Sequence, residues 1–249
     1  MPDSANPSRP LVGEVVMITG ASRGLGRALA AAFAAAGASV SGCARNHSGL
    51  LETERALRDR DLSMHSATLD ITDEAALKSW VGDVERVLGT PTVLINNASA
   101  LGSRVTIQNH DLGEWRKTLE VNLTGSFMAA RAVIPAMQQA GRGSIIQLSS
   151  GAAIAPRTNW GAYSISKIAA DGLALNLAEE MRGSGVRVNI VDPGAMKTEM
   201  RAAAYPDENP STLEEPEARV GVFLWLAGRD SGDVTGKRFT ASGWPGTNS

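Results

Sequence analysis

The sequence is poor in the residues that staple a fold or bind metal: one cysteine, Cys43, and three histidines, His47, His65 and His110, in 249 residues. A lone cysteine closes no intramolecular disulfide, and these four residues match no zinc-ligand spacing, so neither a disulfide framework nor a metal centre is expected. Long apolar runs are missing as well. The most apolar stretch, 28–36, gives way at once to Gly37, Ser39, Ser41 and Gly42, well short of the roughly 18 apolar residues of a membrane-crossing helix. Residues 1–10 are polar and proline-rich without an apolar segment, which reads as a frayed leader and not as a secretory signal. No run of five basic residues occurs, and 24 Lys plus Arg against 26 Asp plus Glu leave a formal net charge of −2. The positive footprint that nucleic-acid binding needs is therefore absent. The expectation is a protein of the reducing cytoplasm, with neither nucleic acid nor membrane as partner.

At 43% hydrophobic and 20% charged residues, the chain has the composition of an ordinary globular protein. Short β-branched runs at 15–19, 39–43, 93–95, 144–148, 186–191 and 237–241 alternate with helix-length segments. That alternation predicts a doubly wound parallel α/β sheet of about seven strands with helices on both faces. An Ala-rich helix over 25–36 should stop at Gly37, where a left-handed residue is needed. Leu77, Trp80, Val81, Val84, Val87 and Leu88 repeat at helical spacing behind Asp73 and Glu74, which favour a helix start. No linker, composition break or repeat divides the chain, so a single domain over 1–249 is expected. The least regular part, 196–216, carries Pro206, Pro210 and Pro216 among acidic residues and reads as a substrate loop.

Directly after the first strand stands Thr19-Gly20-Ala21-Ser22-Arg23-Gly24-Leu25-Gly26, leading into the Ala-rich helix. A glycine-rich turn between strand and helix lets a pyrophosphate approach the backbone, where free N–H groups and the helix dipole attract it. The spacing G-x-x-x-G-x-G would also suit a purely structural turn; its place at the first βα junction favours the ligand. At the end of the second strand the sequence is Cys43-Ala44-Arg45-Asn46. A carboxylate there would take a ribose 2′-hydroxyl, whereas Arg45, with Arg23, offers guanidinium forks for a 2′-phosphate. NADP is thus expected over NAD, the alternative being that both arginines are solvated surface cations.

Tyr163 and Lys167 are four residues apart and would share one helix face. A free phenol with a pKa of about 10 is a poor acid-base catalyst near neutrality, and a neighbouring ammonium favours its phenolate.

Together the glycine turn, Asn96-Asn97-Ala98-Ser99, Asn122 in Val121-Asn122-Leu123-Thr124-Gly125, Ser150, Tyr163-x-x-x-Lys167 and Pro193-Gly194 resemble the short-chain dehydrogenase/reductase family. The resemblance covers nearly the whole chain and is to its single-domain, Rossmann-like branch, which includes 3-oxoacyl-carrier-protein reductases. It implies that Tyr163 exchanges a proton with a carbonyl or alcohol oxygen while hydride moves at the nicotinamide. Lys167 would lower the Tyr163 pKa and bond the nicotinamide ribose. Ser150, thirteen residues before Tyr163, would polarise the substrate oxygen, with Ser149 as its rival, and Asn122 would hold a water in a proton relay. Gly20, Ser22, Arg23, Gly24, Leu25 and Gly26 would cradle the pyrophosphate, with Arg45 and Asn46 at the 2′-phosphate. Asp70 and Ile71 would meet the adenine; Asn96 and Ala98, with Asn97, its ribose. Pro193, Gly194 and Thr198 would cover the nicotinamide.

By the same resemblance 99–101, Ala152, Ile154, Asn159, Trp160 and 195–205 line a mostly apolar substrate pocket. A medium-sized apolar ketone or secondary alcohol is implied, with Arg157 and Arg201 read as solvated cations or partners of a substrate charge. The acidic Asp207-Glu208 and Glu214-Glu215 pairs argue against an acyl-carrier-protein partner. Ser99 replaces the family's usual Gly, a change expected to affect backbone freedom more than chemistry. Asp192 stands where small residues are usual and should cap the next turn, and Ser242 and Trp244 replace the last strand's usual Asp and Gly. A homo-oligomer, dimer or tetramer, is expected. The reading is an NADPH-dependent carbonyl reductase; an NADP(H)-sensing regulator without turnover and a scaffold on a retained fold are the alternatives, against which the intact Asn122, Ser150, Tyr163 and Lys167 speak.

Overall fold

Alternate residues of a strand face opposite sides of a sheet, and in this chain both sides are apolar. Val16 and Ile18 pack with Leu29, Phe33, Phe223 and Leu226, while Val15 and Met17 pack with Leu77, Trp80, Val84 and Val133. Such two-sided strands belong in a parallel sheet buried between helices. The computed structural model describes residues 9–155 and 157–244. Its strands are β1 (Val15–Thr19), β2 (Ser39–Ala44), β3 (His65–Thr68), β4 (Val93–Asn96), β5 (Gly143–Leu148), β6 (Val186–Asp192) and β7 (Arg238–Thr240). They form one sheet, every pair parallel, in the order β3-β2-β1-β4-β5-β6-β7. The fold is thus Rossmann-like and doubly wound, and the order reverses between β1 and β4, opening a crevice at the strands' carboxyl ends.

Helices α1 (Gly24–Ala35), α2 (His47–Arg58) and α8 (Gly221–Ala227) cover one face; α3 (Glu74–Val87), α5 (Gly125–Gln139) and α6 (Gly161–Glu180) cover the other. Helix α1 stops as read: Gly37 sits at φ +92°, a conformation glycine adopts without strain. Asp73 caps α3 by accepting from Ala76 N–H at 3.0 Å. Helix α4 (Leu112–Leu119) runs into α5 through a π-helical segment, Glu120–Thr124, the kind of local widening often found at functional sites.

One strand was not foreseen and one expectation changes. Strand β3, His65–Thr68, ends two residues before Asp70; its residues are half-buried or exposed, so no apolar signature marked it. The irregular 196–216 stretch contains helix α7 (Glu199–Ala204), capped by Thr198 Oγ1 accepting from Arg201 N–H at 3.1 Å. Ion pairs Lys197–Glu215 (2.6 Å), Arg219–Glu214 (2.5 Å) and Arg201–Glu208 (2.5 Å) pin it, so three of the four acids expected to disfavour an acyl-carrier-protein partner, Glu208, Glu214 and Glu215, are paired within the chain. The expected leader falls almost wholly outside the described residues. No described helix is long and apolar enough to cross a membrane.

Phe33 is fully buried between α1 and the sheet. Phe33→Ala should lower unfolding stability by about 3–5 kcal/mol in denaturant titration; a loss under about 1 kcal/mol would contradict its packing.

Candidate active site

The glycine turn is built by close approach. Gly20 N–H and Ala21 N–H donate to Cys43 O at 2.8 and 3.0 Å, stitching the turn to β2. Gly20 and Gly24 have φ of +74° and +52°, and a Cβ on Gly26 would lie 2.1 Å from Gly20 O. Glycine is obligatory at such positions. Arg23, the N-cap of α1, offers no side-chain cap, so the first-turn N–H groups face outward without a partner from within the helix. Arg27, which sequence reasoning passed over, braces the turn by donating to Ser22 O at 2.7 Å and to Glu52 at 2.9 Å.

Beside this turn runs a cleft of about 1020 Å³. It brings together the expected cofactor residues except Asn96: Gly20, Ser22, Arg23, Gly24, Leu25, Gly26, Arg45, Asn46, Asp70, Ile71, Asn97, Ala98, Tyr163, Lys167, Pro193, Gly194 and Thr198. Size, uncapped amides and crowded glycines fit a dinucleotide. Asn96, expected at the ribose, instead points into the core, its Nδ2 donating to Ser126 O at 3.1 Å. Its neighbour Asn97 braces the turn, donating to Thr19 O at 2.8 Å and Gly20 O at 3.1 Å. Asn46 caps α2 through Gly49 N–H at 3.2 Å. The two arginines read as phosphate ligands are not free cations: Arg45 lies 3.6 Å from Asp70, and Arg23 pairs with Glu199 of α7. Burial works to raise the Asp70 pKa, but the Thr72 N–H and hydroxyl and the Arg45 guanidinium outweigh it and hold the carboxyl below its ordinary value.

Tyr163 and Lys167, on the buried side of α6, close the inner end of the cleft. Lys167 is 1% exposed and its Nζ donates to Leu148 O at 3.0 Å. Burial brings its pKa down to about 8, against the pull of the Asp171 and Asp192 carboxylates. Burial also pushes the Tyr163 phenol above its ordinary value, helped by Asp192 and opposed by hydrogen bonds with the Ser150 and Ser99 hydroxyls. Lys167 Nζ lies 5.8 Å from the Tyr163 ring centre, and burial outweighs the groups that favour the phenolate. Ser99, read as a backbone change, in fact adds a hydroxyl to the site.

Ser149 and Ser150 are resolved by their partners. The Ser149 hydroxyl donates to Asp171 at 2.8 Å and accepts from Arg238 at 2.7 Å, whereas that of Ser150 meets Tyr163 and accepts from Ala152 N–H at 3.2 Å. Asn122 does not reach Lys167. Its Oδ1 accepts from Ala100 N–H and the Ser99 hydroxyl (2.7 and 3.2 Å), and its Nδ2 donates to Ala100 O and Ser166 Oγ (both 2.9 Å). With both donors and both lone pairs used, the side-chain amide clamps the loop after β4 to α6, which leaves the Asn122 backbone carbonyl as the group that would meet a relay water.

A charge network lies behind these residues. Arg238 of β7 pairs with Asp171, donates to Ser150 O at 3.0 Å and lies 3.4 Å from Asp192. Asp192 also caps its turn as expected, accepting from Gly194 N–H at 3.0 Å. Asp171 was legible as the i+4 neighbour of Lys167; nothing local marked Arg238.

Towards the outer end Trp160 stands edge-on to Tyr163, ring centres 5.5 Å apart, and Ala152 and Trp160 line the cleft as expected. Ile154 does not: it is 69% exposed, because one 3-10 turn rotates it away from the face Ala152 occupies. Asn159 and Ala100 are also absent from the lining.

Fold and cleft together define a dinucleotide-binding protein of the doubly wound α/β class. Within that class the chain belongs to the short chain dehydrogenase family, whose model matches residues 14–209; these are oxidoreductases acting on hydroxyl and carbonyl groups with a nicotinamide cofactor. It is 35% identical to a 3-alpha-(or 20-beta)-hydroxysteroid dehydrogenase of Mycobacterium tuberculosis, covering 94% of this chain and 89% of that one. It is also 35% identical to a trans-4-hydroxycyclohexanecarboxylate dehydrogenase of Sinomonas cyclohexanicum, covering 92% of each. A short chain dehydrogenase structure from Escherichia coli in complex with NADPH superposes with a TM-score of 0.90 at 30% identity, covering 94% of this chain and 98% of that one.

Because the Asp171 carboxylate favours the Lys167 cation, Asp171→Asn should move the Lys167 pKa further below about 8, as read by NMR titration of the isotope-labelled ammonium. An unchanged titration would show that Asp171 does not act on it.

Proposed function

We propose that the protein is an NADPH-dependent oxidoreductase interconverting a ketone and a secondary alcohol on a medium-sized, largely apolar substrate. The observation that carries this reading is the buried Tyr163 phenol at the inner end of the cofactor cleft, beside the Ser150 hydroxyl and with the Lys167 ammonium 5.8 Å from its ring centre. Bound in the cleft, the nicotinamide supplies or accepts the hydride. Ser150 donates a hydrogen bond to the substrate oxygen, and Tyr163 gives that oxygen its proton. The Lys167 cation stabilises the phenolate left behind. Asn122 is a positioning residue, holding the loop of Ser99 against α6.

Preference for NADP over NAD rests on Arg45 and the missing carboxylate at the end of β2, and the NADPH complex of the Escherichia coli relative supports it. Trp160, Ala152, Met200 and Ala204 offer an apolar bed to the substrate. The substrates for which the two enzyme relatives are named, a hydroxysteroid and a hydroxylated cyclohexane ring, support a cyclic alcohol or ketone. We place the protein in the cytoplasm, as one cofactor-binding domain over 1–249 that assembles as a dimer or tetramer. The half-buried aromatic cluster of Trp225, Phe239 and Trp244 at the β7 edge of the sheet supports assembly.

Tyr163→Phe should leave NADPH affinity near normal and abolish most ketone reduction, by about 100-fold or more for a lost general acid; undiminished turnover would remove Tyr163 from the chemistry. Arg45→Asp should move the kcat/KM preference toward NADH, since the new carboxylate repels the 2′-phosphate and accepts a ribose hydroxyl. A preference that stays put would place the 2′-phosphate elsewhere.

A further inference from the structure

The outer end of the cleft is apolar in its rings and mainly positive in its charges. Three guanidinium groups converge on Trp160 and Tyr205, whose ring centres are 5.7 Å apart. Arg157 donates to the Tyr205 hydroxyl at 2.6 Å. Arg201 stacks on the Tyr205 ring at 3.8 Å and is held by both oxygens of Glu208, at 2.5 and 2.6 Å. Arg104 lies over both rings, 4.7 Å from Trp160 and 5.2 Å from Tyr205, and its buried Nε has no hydrogen-bond partner. Glu208 serves Arg201 alone: among the described residues no carboxylate lies within ion-pair distance of Arg157 or Arg104. Three cations therefore stand against one carboxylate, which only Arg201 engages. Ring faces offset some of this charge, but neighbouring guanidiniums repel, and an anion between them would relieve that repulsion.

Arg157 and Arg201 line the cleft; Arg104 supports the rings from outside that lining. The Tyr205 hydroxyl gives Arg157 a fixed anchor, leaving its other N–H groups for a planar acceptor, and a guanidinium fork matches a carboxylate in two parallel hydrogen bonds. From Tyr163 the path outward runs over the Trp160 ring to Tyr205 in steps of 5.5 and 5.7 Å. A group read at Arg157 thus sits about a ring and a short spacer from the carbon that reacts.

We propose that this mouth reads a carboxylate on the substrate, at the end away from the carbonyl, with Arg157 making the pair. The native substrate class is then a keto acid, or the matching hydroxy acid, whose ring or short hydrocarbon spacer lies on Trp160. Arg201 already has its carboxylate and orients Tyr205; Arg157 has none and selects. This rests on the ketone-reductase reading of the inner site, and its test is arranged to separate the two.

The experiment compares NADPH-dependent reduction of para-acetylbenzoate and para-acetylphenylacetate with that of their methyl esters, and in parallel the binding of benzoate and benzamide to the protein–NADP complex by calorimetry. Wild type should favour the acids by about tenfold in kcat/KM, through KM, and bind benzoate over benzamide in the same order, the size of one screened charge-assisted pair. Arg157→Gln should remove that preference and Arg157→Glu should invert it. These ratios are internal to each variant, so loss of folded protein does not mimic the result. Equal kcat/KM for acid and ester, or a preference that survives Arg157→Glu, would overturn the proposal. Benzoate binding that depends on Arg157 without any ketone turnover would uphold the carboxylate site and overturn the reductase reading; turnover with no acid preference would do the reverse.

Discussion

A lysine ammonium buried at the end of a parallel sheet is the constraint around which the rest of the site is arranged. Taking such a charge out of water costs several kcal/mol unless opposite charge and hydrogen bonds accompany it. Lys167 has one carbonyl, Leu148 O, and two carboxylates, Asp171 and Asp192, acting on it. Those carboxylates are themselves withdrawn from solvent, and burial raises the Asp171 pKa even with Ser149 and Arg238 beside it. Arg238 closes the chain of alternating charges by reaching both acids and the Ser150 carbonyl from the last strand. Asp192, unusual for the family at its position, is thus explained together with Arg238: each carboxylate needs the guanidinium, and the ammonium needs the carboxylates.

The cofactor end follows a different rule. There the backbone does the work, with crowded glycines and unpartnered first-turn amides of α1, while the flanking cations sit in loose pairs. Arg23–Glu199 and Arg45–Asp70 are largely exposed, and exposed pairs of this kind are worth about 0–1 kcal/mol. A phosphate dianion can displace such a carboxylate at little cost. The Arg23–Glu199 pair also joins the glycine turn to α7, so the loop proposed to cover the substrate is tied to the turn proposed to bind the pyrophosphate.

How much of this could be read from the sequence depended on how local each signal was. Strands buried on both faces, the Gly37 stop, the Asp73 cap and the Tyr163–Lys167 spacing are short-range and were legible. Strand β3 was not, because His65–Thr68 lacks an apolar face. The partners of Arg238 lie 46 to 89 residues away in sequence, beyond any periodic pattern. Family position placed Asn96 and Ile154 wrongly, since alternation at a strand end and rotation within one 3-10 turn each exchange inward for outward between near neighbours. The π-helical segment gave Asn122 its four partners, a geometry that a helix of regular pitch would not predict.

The most direct test of the account follows the hydride itself. Purified protein is incubated with NADPH deuterated at both C4 positions and a panel of cyclic and aryl ketones, and the alcohol products are examined by mass spectrometry. The account predicts alcohols carrying one deuterium at the carbinol carbon, formed faster with NADPH than with equally labelled NADH. Binding of NADPH without any labelled alcohol across the panel would contradict it and leave a protein that holds the nucleotide for another purpose.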